Sequence, residues 1–259
     1  MTLKIYSISR PQFEVDTFLA FLSESEEQSW TRTSEATPPE EIVEVSGRIC
    51  YMSFGSRQSP RTNSEYIKNL IRQGHESVLE HINWTFLLTG VSRGFTHQLV
   101  RHRVGFAYSQ LSQQYHQDTD AKFVEPSHLS FSPKALDAWK QAITTTKQAY
   151  KDIIDELENL ETTTNLGEEF NKKEIRRSLN SAARSVLPNG IETTIMITAN
   201  ARALRHFLKV RGSIVGDEEM RNVASELLRY LKKDAPSIFL DFQIDTLSDG
   251  SSIVVYQPL

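Results

Sequence analysis

The chain of 259 residues contains a single cysteine, Cys50. One thiol closes no internal disulfide, so stability must come from a buried core, which a chain of this length can supply. The lack of paired cysteines points to a reducing compartment, and the cytoplasm is the expected location. Basic charge is not in excess either: 29 Lys and Arg stand against 33 Asp and Glu, for a net charge of −4. That argues against a global field that draws nucleic acid or membrane, and leaves any anionic ligand to a local cluster of cations. No apolar run is long enough to span a bilayer, and the opening MTLKIYSISR lacks the apolar stretch of a secretory leader. No fixed-period repeat is present, and no Gly-x-Gly-x-x-Gly marks a dinucleotide-binding turn.

What is present reads as one catalytic domain over 1–259, with helices and strands mixed. Pro38-Pro39 introduces a helix over 40–48, and Asn63 or Ser64 is the expected cap of another that stops at Gly74. Residues 82–88 alternate in the strand period, and Ser92 caps a helix carrying Phe95, Leu99 and Val100 inward. Ser132-Pro133 opens a long helix, and another spans 172–186. Residues 191–197 alternate as a strand, helices follow over 201–211 and 217–232, and Ile253 to Tyr256 reads as a short extra strand. Residues 53–63 and 161–168 read as loops. Strand-then-helix units of this kind indicate an α+β or α/β layer fold.

Chemistry is concentrated in short clusters. Arg101-His102-Arg103 is expected on a helix, where adjacent side chains fan out by about 100°, and guanidinium forks suit phosphate. The hydroxyl- and amide-rich segment 104–115 reads as a loop, with Gly105 permitting a close turn. His75-Glu76-Ser77-Val78-Leu79-Glu80-His81 invites a zinc site. Its histidines are six apart, however, whereas a zincin helix needs them at i, i+4, so no metal is expected. Downstream, Arg184-Ser185-Val186-Leu187-Pro188 precedes a strand. The segment Asn200 to Arg211 then follows, in which Arg202 and His206 share a helix face and Arg211 lies on another. Taken singly, the basic clusters also fit solvated basic helices or a nucleic-acid-binding module, and a metal-dependent hydrolase using His75, Glu80 and His81 is the remaining, disfavoured alternative.

Taken together and in order, they are not so ambiguous. His-x-Ser-x-x-Glu-His, Arg-His-Arg, Ser-Gln-x-Tyr, Ala-Arg-x-x-Leu-Pro and Asn-x-Arg-x-x-x-x-Phe-x-x-x-Arg succeed one another over about residues 47–242, and the chain resembles the flavin-dependent thymidylate synthases. The resemblance implies an α+β fold with a central, largely antiparallel sheet flanked by helices, assembled as a homotetramer. It implies methylation of dUMP to dTMP, with the carbon from 5,10-methylenetetrahydrofolate and the hydride from FAD that NADPH has reduced, and without an enzyme cysteine nucleophile. By the same resemblance, FAD is held by Ser77, Arg101, His102, Arg103, Gln110, Asn200, Ala201, Arg202 and His206. Gln98, Leu99, Val100, Arg101, Gln110, Leu111, Ser112, Gln113, Gln114, Arg184 and Arg211 bind the nucleotide. Arg211 is the catalytic residue, favouring ionisation of the uracil ring, and His75 and Tyr115 lie on the folate side. Two positions depart from the family pattern. Residues 104–111 number eight where seven are usual, and Gln114 stands where an arginine is usual. Lys122 or Arg211 is the expected source of a replacement charge, and methylation of UMP or a related pyrimidine nucleotide is the alternative activity. A catalytically silent relative that still binds flavin is a further alternative.

Overall fold

A computed structural model describes residues 3–25, 29–164 and 171–259. In chain order the elements are β1 (Lys4–Ser9), α1 (Val15–Glu24), α2 (Pro38–Ile49), α3 (Asn63–Arg72), β2 (Asn83–Ser92), α4 (Arg93–Leu99), β3 (Phe106–Gln110), α5 (Pro133–Thr164), α6 (Lys172–Ala183), β4 (Glu192–Asn200), α7 (Ala201–Arg211), α8 (Glu218–Asp234), β5 (Phe242–Thr246) and β6 (Ser252–Tyr256). Short 3-10 turns include Glu76–His81 and Arg184–Val186. The class is α+β: an antiparallel sheet flanked by helices. Its strand order is β1-β2-β4-β3, and β5 pairs with β6 in a separate antiparallel ribbon.

Chain contacts divide the molecule into two compact units. One comprises Met1–Lys4, Leu88–Arg101 and Ser109–Met196; the other comprises Ile5–Leu87, His102–Tyr108 and Ile197–Leu259. In the first, Tyr150 and Ile154 of α5 pack on Ala183 at the end of α6, with Val186 and Leu187 against them. In the second, α7 and α8 bury Leu204, Phe207, Leu208, Val223, Leu227, Leu228 and Leu231. An aromatic cluster also gathers Leu22, Trp30, Val45 and Phe54, with Phe13 and Phe18 against it. The 3-10 turn that carries Ser77 contacts both α2 and α7.

Local chemistry explains where the elements begin and end, and where simple expectations fail. The cap of α3 is Thr62, not Asn63 or Ser64. Its hydroxyl accepts the Glu65 N–H at 3.3 Å while the Glu65 carboxylate accepts the Thr62 N–H at 2.9 Å. Asn63 instead turns inward and donates to Glu44 Oε2 at 2.7 Å. Helix α5 continues to Thr164, through the start of the expected 161–168 loop, because no Pro or Gly interrupts it there; residues 165–168 lie outside the described ones. Arg101-His102-Arg103 is not helical. Helix α4 ends at Leu99, and the Val100 N–H closes it on Thr96 O at 3.0 Å. Part of the expected 104–115 loop, Phe106–Gln110, is strand β3, whose alternation places Phe106, Tyr108 and Gln110 on the more buried face.

Beyond Phe242 the chain does form an extra strand, and its function in the fold is clear. The Val254 N–H donates to Gly212 O at 2.9 Å, and a Cβ on Gly212 would lie 2.7 Å from that of Val254. The β5–β6 ribbon therefore fastens the end of α7, next to Arg211. Arg221, only 1% exposed, holds the ribbon from α8: Nε donates to Ser252 O at 3.2 Å and Nη2 to Ser251 Oγ at 2.6 Å.

Helix α7 is fixed at its centre by Arg205, which donates to both carboxylate oxygens of Asp241 at 2.6 Å and to Ile238 O at 2.5 Å. Both side chains are buried. Asp241→Asn leaves a buried cation without its counter-charge and is expected to cost about 3–5 kcal/mol. Denaturant unfolding monitored by circular dichroism measures this, and a loss under 1 kcal/mol would contradict the anchoring role.

Candidate functional site

In the second unit the chemistry-bearing residues gather around α7. Asn200 caps the helix, with its Oδ1 accepting the Ala203 N–H at 2.8 Å. The Asn200 N–H donates to Gly105 O at 3.1 Å, so the cap and the turn after Arg103 meet through the backbone. Gly105 has φ +74°, and a Cβ there would lie 2.7 Å from Asn200 Nδ2 and 2.8 Å from Ala203 Cβ; only glycine fits. Val104 beside it is 91% exposed.

His102 sits on α7's exposed side. Its ring centroid lies 6.0 Å from that of His206 and 5.4 Å from that of Phe207. Arg211 Nε donates to His102 Nε2 at 3.0 Å. Since that arginine nitrogen only donates, His102 accepts through an unprotonated Nε2 and is neutral. Burial pushes the His102 pKa down, and the nearby Arg211 and His206 charges push it the same way. Arg202 is engaged by carboxylates: Nη1 donates to Glu80 Oε1 at 2.6 Å, and Nε lies 3.8 Å from Glu76 Oε2. These two acids are thus committed to a guanidinium. Ser77 and His75 are exposed on the same turn. Ala201 offers little directly, since its side chain is buried and its N–H donates to Ile82 O at 3.0 Å.

In the first unit a second cluster surrounds the segment 110–115. Gln110 Nε2 donates to Thr96 Oγ1 at 3.0 Å and, more weakly, to Thr193 Oγ1 at 3.4 Å. Gln113 Nε2 donates to Asp118 Oδ2 at 2.8 Å. Gln114 is held at both ends of its amide: Oε1 accepts from Arg177 Nε at 3.1 Å, and Nε2 donates to Ser181 Oγ at 3.2 Å. Its backbone carbonyl accepts from Asn180 Nδ2 at 2.9 Å. Of the residues expected here, Gln98, Arg101, Leu111 and Tyr115 are exposed, while Val100, Ser112 and Arg184 are half-buried. Leu99 is fully buried, so only its backbone is available.

Two cations in this unit escaped the sequence motifs. Arg93, the first residue of α4, donates through Nη2 to Leu111 O at 2.8 Å, and its buried Nε has no partner. Burial lowers its pKa, opposed by Asp118 and reinforced by the Arg184 charge. Arg177 is the other. Its only sequence signal is a spacing of seven from Arg184, close to two helical turns and hence the same face.

These contacts make two expectations testable. His102 should titrate below its ordinary value of about 6.5, and Arg211→Met should raise it, as read by NMR of the ring protons. Because the folded value is depressed, the stability contributed is complete above the unfolded value and is lost as pH falls through the folded one. A His102 pKa unmoved in the variant would show that Arg211 is not a cause. Gly105→Ala should lower unfolding stability by about 1–3 kcal/mol through its left-handed φ and the Asn200 contact. A variant as stable as the parent would mean that the turn relaxes freely.

Comparison with known proteins fits this pattern of clusters. A family model described as thymidylate synthase complementing protein matches residues 33–237. A flavin-dependent thymidylate synthase of Mycobacteroides abscessus is 41% identical over 228 residues, covering 87% of this chain and 88% of that protein. One of Mycolicibacterium gilvum is 42% identical over 214 residues, covering 82% and 83%, and one of Mycobacterium tuberculosis is 38% identical over 226 residues, covering 86% and 87%. The matched span contains the His75–His81 turn, Arg101-His102-Arg103, the 110–115 segment and α7, and the chain belongs to the thymidylate synthase complementing protein family.

Proposed function

We propose that this protein is a flavin-dependent thymidylate synthase that methylates dUMP to dTMP, with 5,10-methylenetetrahydrofolate as carbon donor and NADPH as the reductant of bound FAD. Family membership supports this, and one structural observation carries it to the residues. The arginines divide into committed and uncommitted ones. Arg202 and Arg205 are paired with carboxylates, whereas Arg101, Arg103, Arg184 and Arg211 have no ion-pair partner among the described residues. Those four are the motif arginines left to meet anionic ligands.

The donor set suits a flavin dinucleotide. Arg101 and Arg103 offer forked donors to a pyrophosphate, and Ser77, Asn200 and His206 offer hydrogen bonds to ring and ribose groups. Arg202 would contribute with its position held by Glu80. Those residues would hold the flavin, which, reduced by NADPH, would supply the hydride needed to bring the transferred carbon from the methylene to the methyl level. Gln110, Ser112 and Gln113 orient the nucleotide, and His75 and Tyr115 serve the folate. Arg211 acts on the uracil ring: its Nε is spent on His102, which fixes the guanidinium plane, and its terminal nitrogens remain to stabilise negative charge on the ring. Cys50 lies at the end of α2 with Sγ donating to Ser46 O at 3.4 Å, an unactivated thiol outside this scheme. The resemblance also supports a single catalytic domain acting as a homotetramer in the cytoplasm. No helix among the described residues is long and apolar enough to cross a membrane.

The purified protein should show a flavin spectrum and oxidise NADPH faster with dUMP than without. Parallel assays with UMP decide the alternative substrate. Arg211→Ala should lower kcat about 10²–10³-fold, and Cys50→Ala should leave it unchanged. A colourless protein that cannot be loaded with FAD, or a Cys50→Ala enzyme without activity, would overturn the proposal.

A further inference from the structure

The pairing of Gln114 with Arg177 has a specific chemical meaning. An arginine or lysine at 114 has no acceptor atom and would repel the Arg177 guanidinium, whereas the Gln114 amide oxygen accepts from its Nε at 3.1 Å. The rest of the glutamine is equally committed, to Ser181 through the side chain and to Asn180 through the backbone carbonyl, so helix α6 is tied to the segment that carries Ser112. Arg177 Nη1 lies 3.5 Å from Glu174, with 42% of the arginine side chain and 59% of the glutamate side chain exposed; such a pair is weak. Its Nη2 has no partner among the described residues.

The surroundings are cationic. Arg184 stands just past the end of α6, seven residues after Arg177, and it lies close enough to Arg93 to bear on that residue's charged form. Arg93 and Arg184 have no ion-pair partner among the described residues. The one carboxylate felt by Arg93, that of Asp118, accepts from Gln113 Nε2 at 2.8 Å. The Arg93 and Arg177 guanidinium groups, each hydrogen-bonded to the segment that carries the Ser112 hydroxyl, call for an oxyanion, and a phosphomonoester supplies it.

We propose that Arg177, held in place by Gln114, binds the phosphate of the nucleotide substrate. The glutamine at 114 is then a relocation of positive charge onto α6 and not a loss of it. The identity of the nucleotide rests on the synthase reading; the role of Arg177 toward its phosphate does not.

Calorimetric titration of the flavin-loaded protein with dUMP, UMP and deoxyuridine, which lacks the phosphate, tests this. Arg177→Gln should weaken dUMP binding about ten- to hundredfold and leave deoxyuridine binding as it was. Gln114→Arg alone should weaken dUMP as well, by displacing Arg177. The double variant Gln114→Arg/Arg177→Gln, with the cation returned to 114, should recover affinity to within about threefold of the parent. Unaltered dUMP binding in Arg177→Gln overturns the proposal. So does an equal loss of dUMP and deoxyuridine, which signifies a structural role for Arg177. If the parent binds UMP in place of dUMP and Arg177→Gln loses UMP, the phosphate role stands and the dUMP assignment fails. If the parent methylates dUMP and Arg177→Gln binds it unchanged, the reverse holds.

Discussion

The buried pair between Arg205 and Asp241 is the contact on which the α7 cluster depends. Arg205 is 5% exposed and Asp241 2%, so both charges have left water, and neither is tolerable there alone. The geometry recovers that cost: the fork meets both carboxylate oxygens, a backbone carbonyl accepts a further hydrogen, and the Phe242 ring lies 5.1 Å from the guanidinium carbon. Arg205 lies midway along α7, so fixing it fixes both the rotation and the axial position of the helix. Asn200, Arg202, His206 and Arg211 take their places from that one constraint.

The remaining charges follow a division of labour. Arginines that shape the molecule find partners within it: Arg48 with Glu44, Arg202 with Glu76 and Glu80, Arg205 with Asp241, and Arg221 with backbone carbonyls and a serine hydroxyl. Of the motif arginines, Arg202 is paired with carboxylates, and Arg101, Arg103, Arg184 and Arg211 have no carboxylate partner among the described residues. In a chain whose net charge is −4, local cation excess is the only route to phosphate recognition. It is maintained here by leaving particular guanidinium groups unneutralised, at the expense of mutual repulsion such as that between Arg93 and Arg184.

The C-terminal ribbon illustrates how distant chain segments complete a helix end. Gly212 closes α7 and must lack a side chain because a Cβ there would lie 2.7 Å from that of Val254. That approach is held in turn by the Arg221 clamp. Arg211 therefore stands at a helix terminus stiffened from outside, with its Nε on His102. An arginine so restrained loses little further freedom on meeting a ligand, which is the physical basis of preorganisation.

Local sequence signals determined a good deal. The bounds of α7, the Ser92 cap and the Pro133 start of α5 were legible because caps, prolines and hydrophobic periods act over a few residues; those signals left α/β open, and the α+β class came from the family resemblance. The ordered motifs sufficed for the family. Signals that depend on competition between neighbours misled: Thr62 displaced Asn63 as a cap because Glu65 completes a box with it, and aromatic alternation drew 106–110 into a strand. Strand β1 and helix α1 carried too weak a pattern to be anticipated. The partner of Gln114 could not be read at all. Its hydrogen bond comes from Arg177, sixty-three positions away in the chain, where no motif pointed. Which cations are neutralised and which are left open is likewise a tertiary property, since ion pairs such as Arg202 with Glu80 join residues 122 apart. Sequence fixes the inventory of charged groups; only the packed chain decides which of them meet.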